Sequence, residues 1–185
     1  MVQTTSGEKR KDEKRVMKNF RSLLCLGLLA LGAMAAHAQM EADGLPPMTL
    51  QKIGSDVYFV QGVPGVANST NAGFNSNAGA VATGAGLVVF DVLGSPDLAT
   101  KFIRKLEAAS GEKVKLVVIS HYHADHFYGL QNLLGPGVEV IAHPKAMEVF
   151  NSDNTPRRLE QRKQDLFPWV NDKTRLIPPT RTAKV

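Results

Sequence analysis

One short segment, residues 114–126, limits what this chain can fold into more than any other part of it. Residues 116–119 form an apolar run of mostly β-branched side chains, which predicts a buried strand. Four side chains that can bind a metal follow within six residues: His121, His123, Asp125 and His126. Imidazole nitrogen and carboxylate oxygen are typical zinc ligands. The segment therefore predicts a zinc site at the end of a strand, with a polar loop that binds nothing as the alternative.

The spacing of the four side chains predicts two groups. In an extended segment His121 and His123 project to the same side, because side chains alternate along a strand. Asp125 and His126 fall in the turn into the next predicted helix, from which they can reach a second metal position.

The motif His-Tyr-His-Ala-Asp-His matches the His-x-His-x-Asp-His signature of the metallo-β-lactamase fold superfamily, and the chain resembles this family over about residues 50–150. The resemblance implies an αββα sandwich that usually binds two zinc ions and hydrolyses lactams, thioesters, phosphoesters or sulfur compounds. It implies that His121 and His123 bind the first metal and that Asp125 and His126 bind the second. It also implies a catalytic role for Asp125, which would orient the nucleophilic water.

Two more residues at predicted strand ends bear on this site. Asp91 ends the apolar strand at residues 87–92, where an ionised carboxylate is costly unless it is paired. The resemblance implies that Asp91 accepts a hydrogen bond from a zinc-binding histidine; the alternative is a cap of the turn at Gly94 and Ser95. His143 follows the strand at residues 138–142, where it could serve as a third zinc ligand, but the resemblance implies a non-ligand at the edge of the site.

The flanking sequence predicts alternating strands and helices, hence an α/β fold (an α+β sandwich). Strands are predicted at residues 50–60 (strand, turn, strand), 77–81, 87–92, 116–119 and 138–142. A helix is predicted from the N-cap Ser95 to Gly111, with Lys101 on its solvated side. Its predicted buried stripe is Leu98, Phe102, Leu106 and Ala109. Shorter helices are predicted at residues 127–134 and 145–150, and another from Thr155.

Two segments near the predicted site are a loop and a basic helix. Residues 62–72 are rich in Gly, Pro, Asn and Ser and predict a loop that either contacts substrate or simply connects a hairpin. The helix that begins at Thr155 carries a run of basic side chains, which we interpret as a solvated face: Arg157, Arg158, Arg162 and Lys163.

The N-terminus has the three parts of a secretory signal, which predicts that residues 1–38 are a signal peptide cleaved after Ala38. Met17 is a plausible true start, because residues 1–16 have no place in a short signal. The only cysteine, Cys25, would be removed, so no disulfide is expected. These features predict a periplasmic or secreted protein without a stable membrane anchor, with a retained N-terminal anchor as the alternative. Residues 39–185 carry a net charge of only +1, which disfavours a nucleic-acid partner.

The C-terminal part departs from the family pattern. No histidine follows His143, whereas the family supplies a further histidine, a bridging aspartate and a last histidine downstream. We therefore expect residues 39–185 to be the N-terminal part of the domain, a fragment whose sheet has one apolar face open to water. Residues 177–185 show no strand pattern.

The predicted function is zinc-dependent hydrolysis of a small-molecule ester, thioester, lactam or sulfur-containing substrate, with up to two zinc ions in the intact protein. Residues 73–79 and 120–129 resemble exported metallohydrolases linked to quinoprotein or sulfur-oxidation systems. Two alternatives stay open: a truncated, inactive metal-binding remnant and a true β-lactamase. The oligomeric state is not predicted.

Overall fold

A computed structural model describes residues 43–183 as one mixed sheet of seven strands with helices. The strands are β1 (Gln51–Lys52), β2 (Val57–Val60), β3 (Ala78–Ala82), β4 (Leu87–Phe90), β5 (Val114–Ile119), β6 (Glu139–Ala142) and β7 (Arg181–Thr182). The helices are α1 (Pro96–Ser110), α2 (Ala124–Phe127), α3 (Lys145–Phe150) and α4 (Asn154–Asp165), with a 3₁₀ helix over Tyr128–Asn132. The structure confirms the predicted α/β class.

Strand order in the sheet follows the chain, from β1 to β7. β1 to β4 pair antiparallel, and β4 to β7 pair parallel. Parallel neighbours need crossover connections, and these contain the helices. The carboxyl ends of β4, β5 and β6 therefore lie at the same edge of the sheet, which is the usual place for a ligand site in such sheets.

The two faces of the sheet differ in burial. Five residues in register on one face are at most 4% exposed: Tyr58, Ala80, Val89, Val117 and Val140. The opposite face is also apolar but half-buried or exposed: Val57, Phe59, Val81, Val88, Phe90, Leu116, Val118 and Ile141. Phe90 is 43% exposed there. This matches the predicted apolar face that is open to water.

Helix α1 begins and ends where the sequence predicts. Gly111 ends it with φ of 75°, and its N–H donates to the carbonyl of Glu107. Ser95 is the N-cap by position, but its buried hydroxyl makes no capping hydrogen bond.

Two side chains of α1 differ from their predicted burial. Ala109 is exposed. Lys101 is buried rather than solvated: its Nζ donates to the carbonyl of Pro46 at 3.1 Å and lies 3.3 Å from Asp43 Oδ2. Spacing places Lys101 off the apolar stripe, but the lead-in segment before β1 covers it.

The segment after residue 177 was wrongly predicted to lack a strand. β7 pairs parallel with β6, and the N–H of Ala183 donates to the carbonyl of Ala142 at 3.0 Å. Before β7, Thr180 N–H donates to Val140 O at 2.9 Å. These bonds are made by backbone groups, so a two-residue strand at a sheet edge needs no side-chain pattern.

Some predictions lie outside the described residues, among them the signal peptide at residues 1–38 and the start at Met17. Within residues 43–183, no helix combines the length and the apolar character that crossing a bilayer would require.

Gly129, in the 3₁₀ helix, is expected to be intolerant of any side chain. A Cβ there would overlap the carbonyl oxygen of Val92 and the Cβ of Ala99, both completely buried. We expect Gly129→Ala to lower the free energy of unfolding by about 3 kcal/mol, the upper range for overpacking, as measured by urea denaturation. Gly135→Ala is the control, because a Cβ there meets nothing within 4 Å. Equal stability of the two variants would contradict the packing described here.

Candidate metal centre

The motif side chains follow the carboxyl end of β5, which ends at Ile119. The next residues leave the sheet, and α2 begins at Ala124 with Asp125 in its first turn. The chain thus turns from strand to helix within a few residues. This turn brings all four predicted ligands to the same edge of the sheet, as the sequence predicts, although their binding of a metal stays a prediction.

His121 and His123 form the first pair. Both are exposed, and His121 Nε2 lies 3.2 Å from His123 Nδ1. Their rings meet edge to face, with centroids 4.7 Å apart. Two imidazole nitrogens therefore face each other at the surface.

Asp125 and His126 form the second pair and are half-buried. Asp125 Oδ2 lies 3.5 Å from His126 Nε2. The side-chain amide of Asn75 donates to the same Oδ2 at 3.0 Å, and the hydroxyl of Ser76 donates to the backbone carbonyl of Asp125. The segment that precedes β3 thus holds Asp125 in place from outside the motif.

Asp91 lies just after β4 and is hydrogen-bonded to two residues of the segment that carries the motif. Its carboxylate accepts hydrogen bonds from Ser120 N (2.8 Å), Ser120 Oγ (2.6 Å) and His126 Nδ1 (2.8 Å). A proton on Nδ1 leaves the lone pair of His126 on Nε2, beside Asp125. The predicted bond from a motif histidine to Asp91 is thus present, while the role of Asp91 toward a metal stays a prediction.

The backbone at Asp91 is strained. Its φ is 60°, in the left-handed region that is costly for residues with a side chain. This conformation breaks the direction of β4 and turns the carboxylate toward Ser120 and His126. Aspartate tolerates it better than most residues, because its short polar side chain can bond locally.

Burial and neighbouring groups shift the pKa values of Asp91, His126 and His121. Burial raises the pKa of Asp91, but hydrogen bonds from His126 and Ser120 outweigh it and hold that pKa below its usual value. Burial lowers the pKa of His126, but the bond to Asp91 and the nearby carboxylate charges outweigh it and raise it above 6.5. Burial and the charges of His126 and His123 lower the pKa of His121.

The two pairs agree in part with zinc geometry. Zinc–ligand bonds of about 2.0–2.1 Å in a tetrahedral site place two ligand atoms about 3.3 Å apart. The donor atoms of the two pairs lie 3.2 Å and 3.5 Å apart. However, no three His, Cys, Asp or Glu side chains between residues 43 and 183 are arranged together as a metal site. The described residues therefore fit zinc as two pairs of donors, not as a complete coordination sphere.

His143 forms its side-chain hydrogen bond with the segment that follows it and not with the motif. It is exposed after β6, and its Nδ1 accepts a hydrogen bond from the N–H of Lys145 at 3.2 Å. Among the described residues it makes no hydrogen bond to the motif. That His143 is not a ligand stays a prediction.

Several residues of the site were not predicted. Asn75, Ser76 and Ser120 lie in the segments that carry the resemblance, but no role was predicted for them, because a single polar residue in a loop does not show what it will bond to. A pocket of about 460 Å³ beside the motif is lined by residues from both the motif and α4: His123, Ala124, Asp125, Arg158, Gln161, Arg162 and Asp165. Arg158 is exposed, as the interpretation of the basic run as a solvated face predicts, and it lines this pocket together with the half-buried Arg162.

A smaller cavity of about 140 Å³ lies next to it and involves the predicted loop at residues 62–72. Val66, Ala67 and Gly73 line this cavity together with Asp125 and Arg162. The loop also connects the antiparallel neighbours β2 and β3. Both interpretations of this loop thus have support: it is a hairpin connection, and it reaches the motif.

The pKa shifts predict how the metal-free protein responds to pH. In an NMR titration with chelator present, His126 should titrate above 6.5 and His121 below it. Because the pKa of His126 is raised, its contribution to the free energy of unfolding is full below 6.5 and is lost as pH rises through the folded pKa. Asp91→Asn should lower the pKa of His126, because it removes the charge that favours the imidazolium. An unchanged pKa in that variant would show that the Asp91–His126 bond does not control it.

Comparison with known proteins gives a family and a fold. The model of the metallo-beta-lactamase superfamily matches residues 71–183. A search of curated proteins found no match.

Three solved structures illustrate the fold. A metallo-β-lactamase from Erythrobacter litoralis with β-mercaptoethanol in its active site shares 16% identity (TM-score 0.52, covering 74% of this chain and 50% of that one). A metallo-β-lactamase from Pseudomonas aeruginosa in its mono-zinc form shares 14% (TM-score 0.51, 77% and 52%). A stereoselective inverting sec-alkylsulfatase from Pseudomonas sp. shares 19% (TM-score 0.54, 78% and 27%).

At these identities the likeness shows the fold alone. The chain spans about half the length of the two metallo-β-lactamases and about a quarter of the alkylsulfatase. The family model covers most of the described residues, including the whole His-x-His-x-Asp-His segment and Asp91. On this match, the chain belongs to the metallo-β-lactamase superfamily.

Proposed function

We propose that the protein is a zinc-dependent hydrolase of a small-molecule ester, thioester, lactam or sulfur-containing substrate. The observation that carries the proposal is the pairing of donor atoms at the end of β5, with Asp91 setting the tautomer of His126. Membership of the superfamily and its hydrolase neighbours support the reaction type.

Each residue has a defined role in this proposal. His121 and His123 hold one zinc ion, and Asp125 with His126 holds a second. Zinc, when bound, supplies a Lewis acid that lowers the pKa of water to about 7 and polarises the electrophile. Asp125 accepts a proton or hydrogen bond from the attacking water and keeps it oriented. Asn75 fixes the rotamer of Asp125 through the bond to Oδ2.

The described residues supply only two donors to each metal position, whereas catalytic zinc sites usually have three protein ligands. We propose that the working enzyme has further ligands that residues 43–183 do not provide, in line with a chain that spans half of its relatives. We also propose that the protein acts in the periplasm after its signal is removed, on a small molecule and not on nucleic acid.

A panel of substrates tests the proposal. The purified protein is assayed with nitrocefin, a thioester and an aryl sulfate, each with zinc and with chelator, and its zinc content is measured by mass spectrometry. We expect bound zinc and turnover of at least one substrate that chelator removes and zinc restores. Turnover of nitrocefin would identify a true β-lactamase. Absence of zinc at saturating concentration would refute the proposal.

A second candidate is an inactive metal-binding remnant. It is favoured by the observation that no three donors in the described part of the chain are arranged as a metal site. In the same experiment this candidate gives bound zinc, with an affinity typical of two ligands, and no turnover of any substrate.

A further inference from the structure

Ser120 lies between the buried carboxylate of Asp91 and the first histidine of the motif. Its Oγ lies 2.6 Å from Asp91 Oδ2 and 3.0 Å from His121 Nδ1. Its backbone N–H donates to the other oxygen of Asp91 at 2.8 Å, so two bonds hold this one residue against the carboxylate. The hydroxyl therefore connects Asp91 to His121, two side chains that share no direct hydrogen bond among residues 43–183.

The direction of these bonds follows from the number of protons available. An ionised carboxylate can only accept, and a hydroxyl has one proton to donate. The hydroxyl proton of Ser120 is used in the 2.6 Å bond to Asp91 Oδ2. Ser120 Oγ can then only accept from His121, so the proton of the neutral His121 ring lies on Nδ1. This leaves His121 Nε2 with a free lone pair.

The lone pair of His121 Nε2 faces the next histidine. Nε2 lies 3.2 Å from His123 Nδ1, a distance that suits either one N–H···N hydrogen bond or two lone pairs that bind the same zinc ion. In the metal-free protein the proton of this bond comes from His123, because His121 Nε2 carries none. The hydrogen bonds thus run in one direction through four residues: His123, His121, Ser120 and Asp91.

A second branch of hydrogen bonds ends on the same carboxylate oxygen. His126 Nδ1 donates to Asp91 Oδ2 at 2.8 Å, so both branches meet at one atom. The rings of His121 and His126 also lie close together, with centroids 4.0 Å apart. One carboxylate is therefore bonded to a histidine of each donor pair, directly in the second pair and through a hydroxyl in the first.

We infer that Ser120 is a positioning residue, whose hydroxyl links His121 to Asp91, holds the ring proton of His121 on Nδ1 and leaves Nε2 ready to bind a metal. Histidine ligands commonly donate their other N–H to such an acceptor, which fixes the tautomer and the ring orientation. The proton arrangement belongs to the metal-free protein and does not depend on the proposed function. Its effect on zinc affinity rests on the metal site of that proposed function.

Long-range ¹H–¹⁵N NMR spectra of the metal-free protein test the inference, because they distinguish protonated from unprotonated ring nitrogens. The spectra are recorded with chelator at pH 8, above the ordinary histidine pKa of about 6.5. We expect His121 to be the Nδ1–H tautomer. His143 is an internal reference for the opposite tautomer, because its Nδ1 accepts a hydrogen bond from Lys145 N–H. Finding His121 in the same tautomer as His143 would overturn the inference.

Two variants of Ser120 separate its hydroxyl from its backbone. In Ser120→Ala the tautomer ratio of His121 should shift about fivefold or more toward Nε2–H, the change expected for the loss of one hydrogen bond. His126 should keep its proton on Nδ1, because its bond to Asp91 does not pass through Ser120. Ser120→Thr should restore the ratio, since it keeps a hydroxyl on Cβ. An unchanged ratio in Ser120→Ala, or a shift that Ser120→Thr does not restore, would contradict the role of the hydroxyl.

Ser110→Ala is the matched control. The hydroxyl of Ser110 bonds to backbone groups at the end of α1, namely Leu106 O and Glu112 N. Its removal should leave the tautomers of His121 and His126 as they are in the wild type. An equal shift of His121 in Ser110→Ala and Ser120→Ala would show that the change is not transmitted through Ser120, and the inference would fail.

Zinc binding distinguishes this inference from the proposed function. In competition with a chromogenic chelator, Ser120→Ala should bind zinc about 10-fold more weakly than Ser120→Thr, the lower end of the range for loss of a hydrogen-bond partner of a ligand. Zinc affinity unaffected by Ser120→Ala would refute the positioning role and leave the hydrolase intact. Absence of zinc binding in the wild type, with His121 in the Nδ1–H tautomer, would refute the proposed function and support the proton arrangement.

Discussion

Replacing His121 with alanine should abolish tight zinc binding while leaving the fold intact. His121 supplies one of only two donors in the first pair, and its Nε2 faces His123 Nδ1 at 3.2 Å. Loss of an outer-shell partner already costs about 10- to 100-fold in metal affinity, so loss of a direct ligand should cost about 100-fold or more. We expect any zinc-dependent turnover to fall to the level of the chelator-treated protein. Zinc affinity is measured by competition with a chromogenic chelator.

The same substitution should barely change stability. His121 is exposed, and removal of an exposed side chain usually changes the free energy of unfolding by less than about 0.5 kcal/mol. His143→Ala is a matched control, because His143 is also an exposed histidine at a strand end but bonds only to its own loop among the described residues. If His143→Ala lost as much zinc affinity as His121→Ala, the assignment of the ligands would be wrong.

Replacing Asp91 with alanine should have the largest effect on stability and a clear effect on the metal. One buried carboxylate accepts three hydrogen bonds, two from Ser120 and one from His126. Its removal leaves these donors without a partner, and hydrogen bonds to charged groups contribute about 1.5–3 kcal/mol each at best. Alanine is also poorly suited to a φ of 60°. We expect a loss of about 3 kcal/mol or more in urea denaturation of the metal-free protein.

Zinc affinity should depend on Asp91 through its hydrogen bond to His126. Without the carboxylate, the proton of His126 is no longer held on Nδ1, so zinc affinity should fall about 10- to 100-fold. Asp91→Asn should be milder in stability, because asparagine tolerates the left-handed backbone. Asp97→Ala serves as the control, since Asp97 is an exposed aspartate in the first turn of α1. A zinc affinity unchanged in both Asp91 variants would show that Asp91 does not act through His126.

One face of the sheet is apolar and incompletely covered in residues 43–183. Apolar residues of β2 to β6 that face away from the buried side remain half-buried or exposed, with Phe90 the most exposed on β4. Surfaces of this kind usually carry a partner layer or associate.

The sequence alone determined the parts of this protein that depend on local pattern. An apolar β-branched run predicted β5, capping residues predicted both ends of α1, and the motif from His121 to His126 predicted the family. Periodicity and caps act over a few residues, so a sequence can show them directly.

Only the tertiary structure decided which distant residues complete the site. Asn75 and Asp125 are fifty positions apart and share a hydrogen bond, and Arg158 of α4 lines a pocket together with His123 and Asp125. A single polar residue on a loop, or a basic residue on an amphipathic helix, has no local pattern that distinguishes a binding role from solvation. The burial of Lys101 and the pairing of β7 have the same cause: both depend on segments far along the chain that cover a side chain or extend a sheet edge.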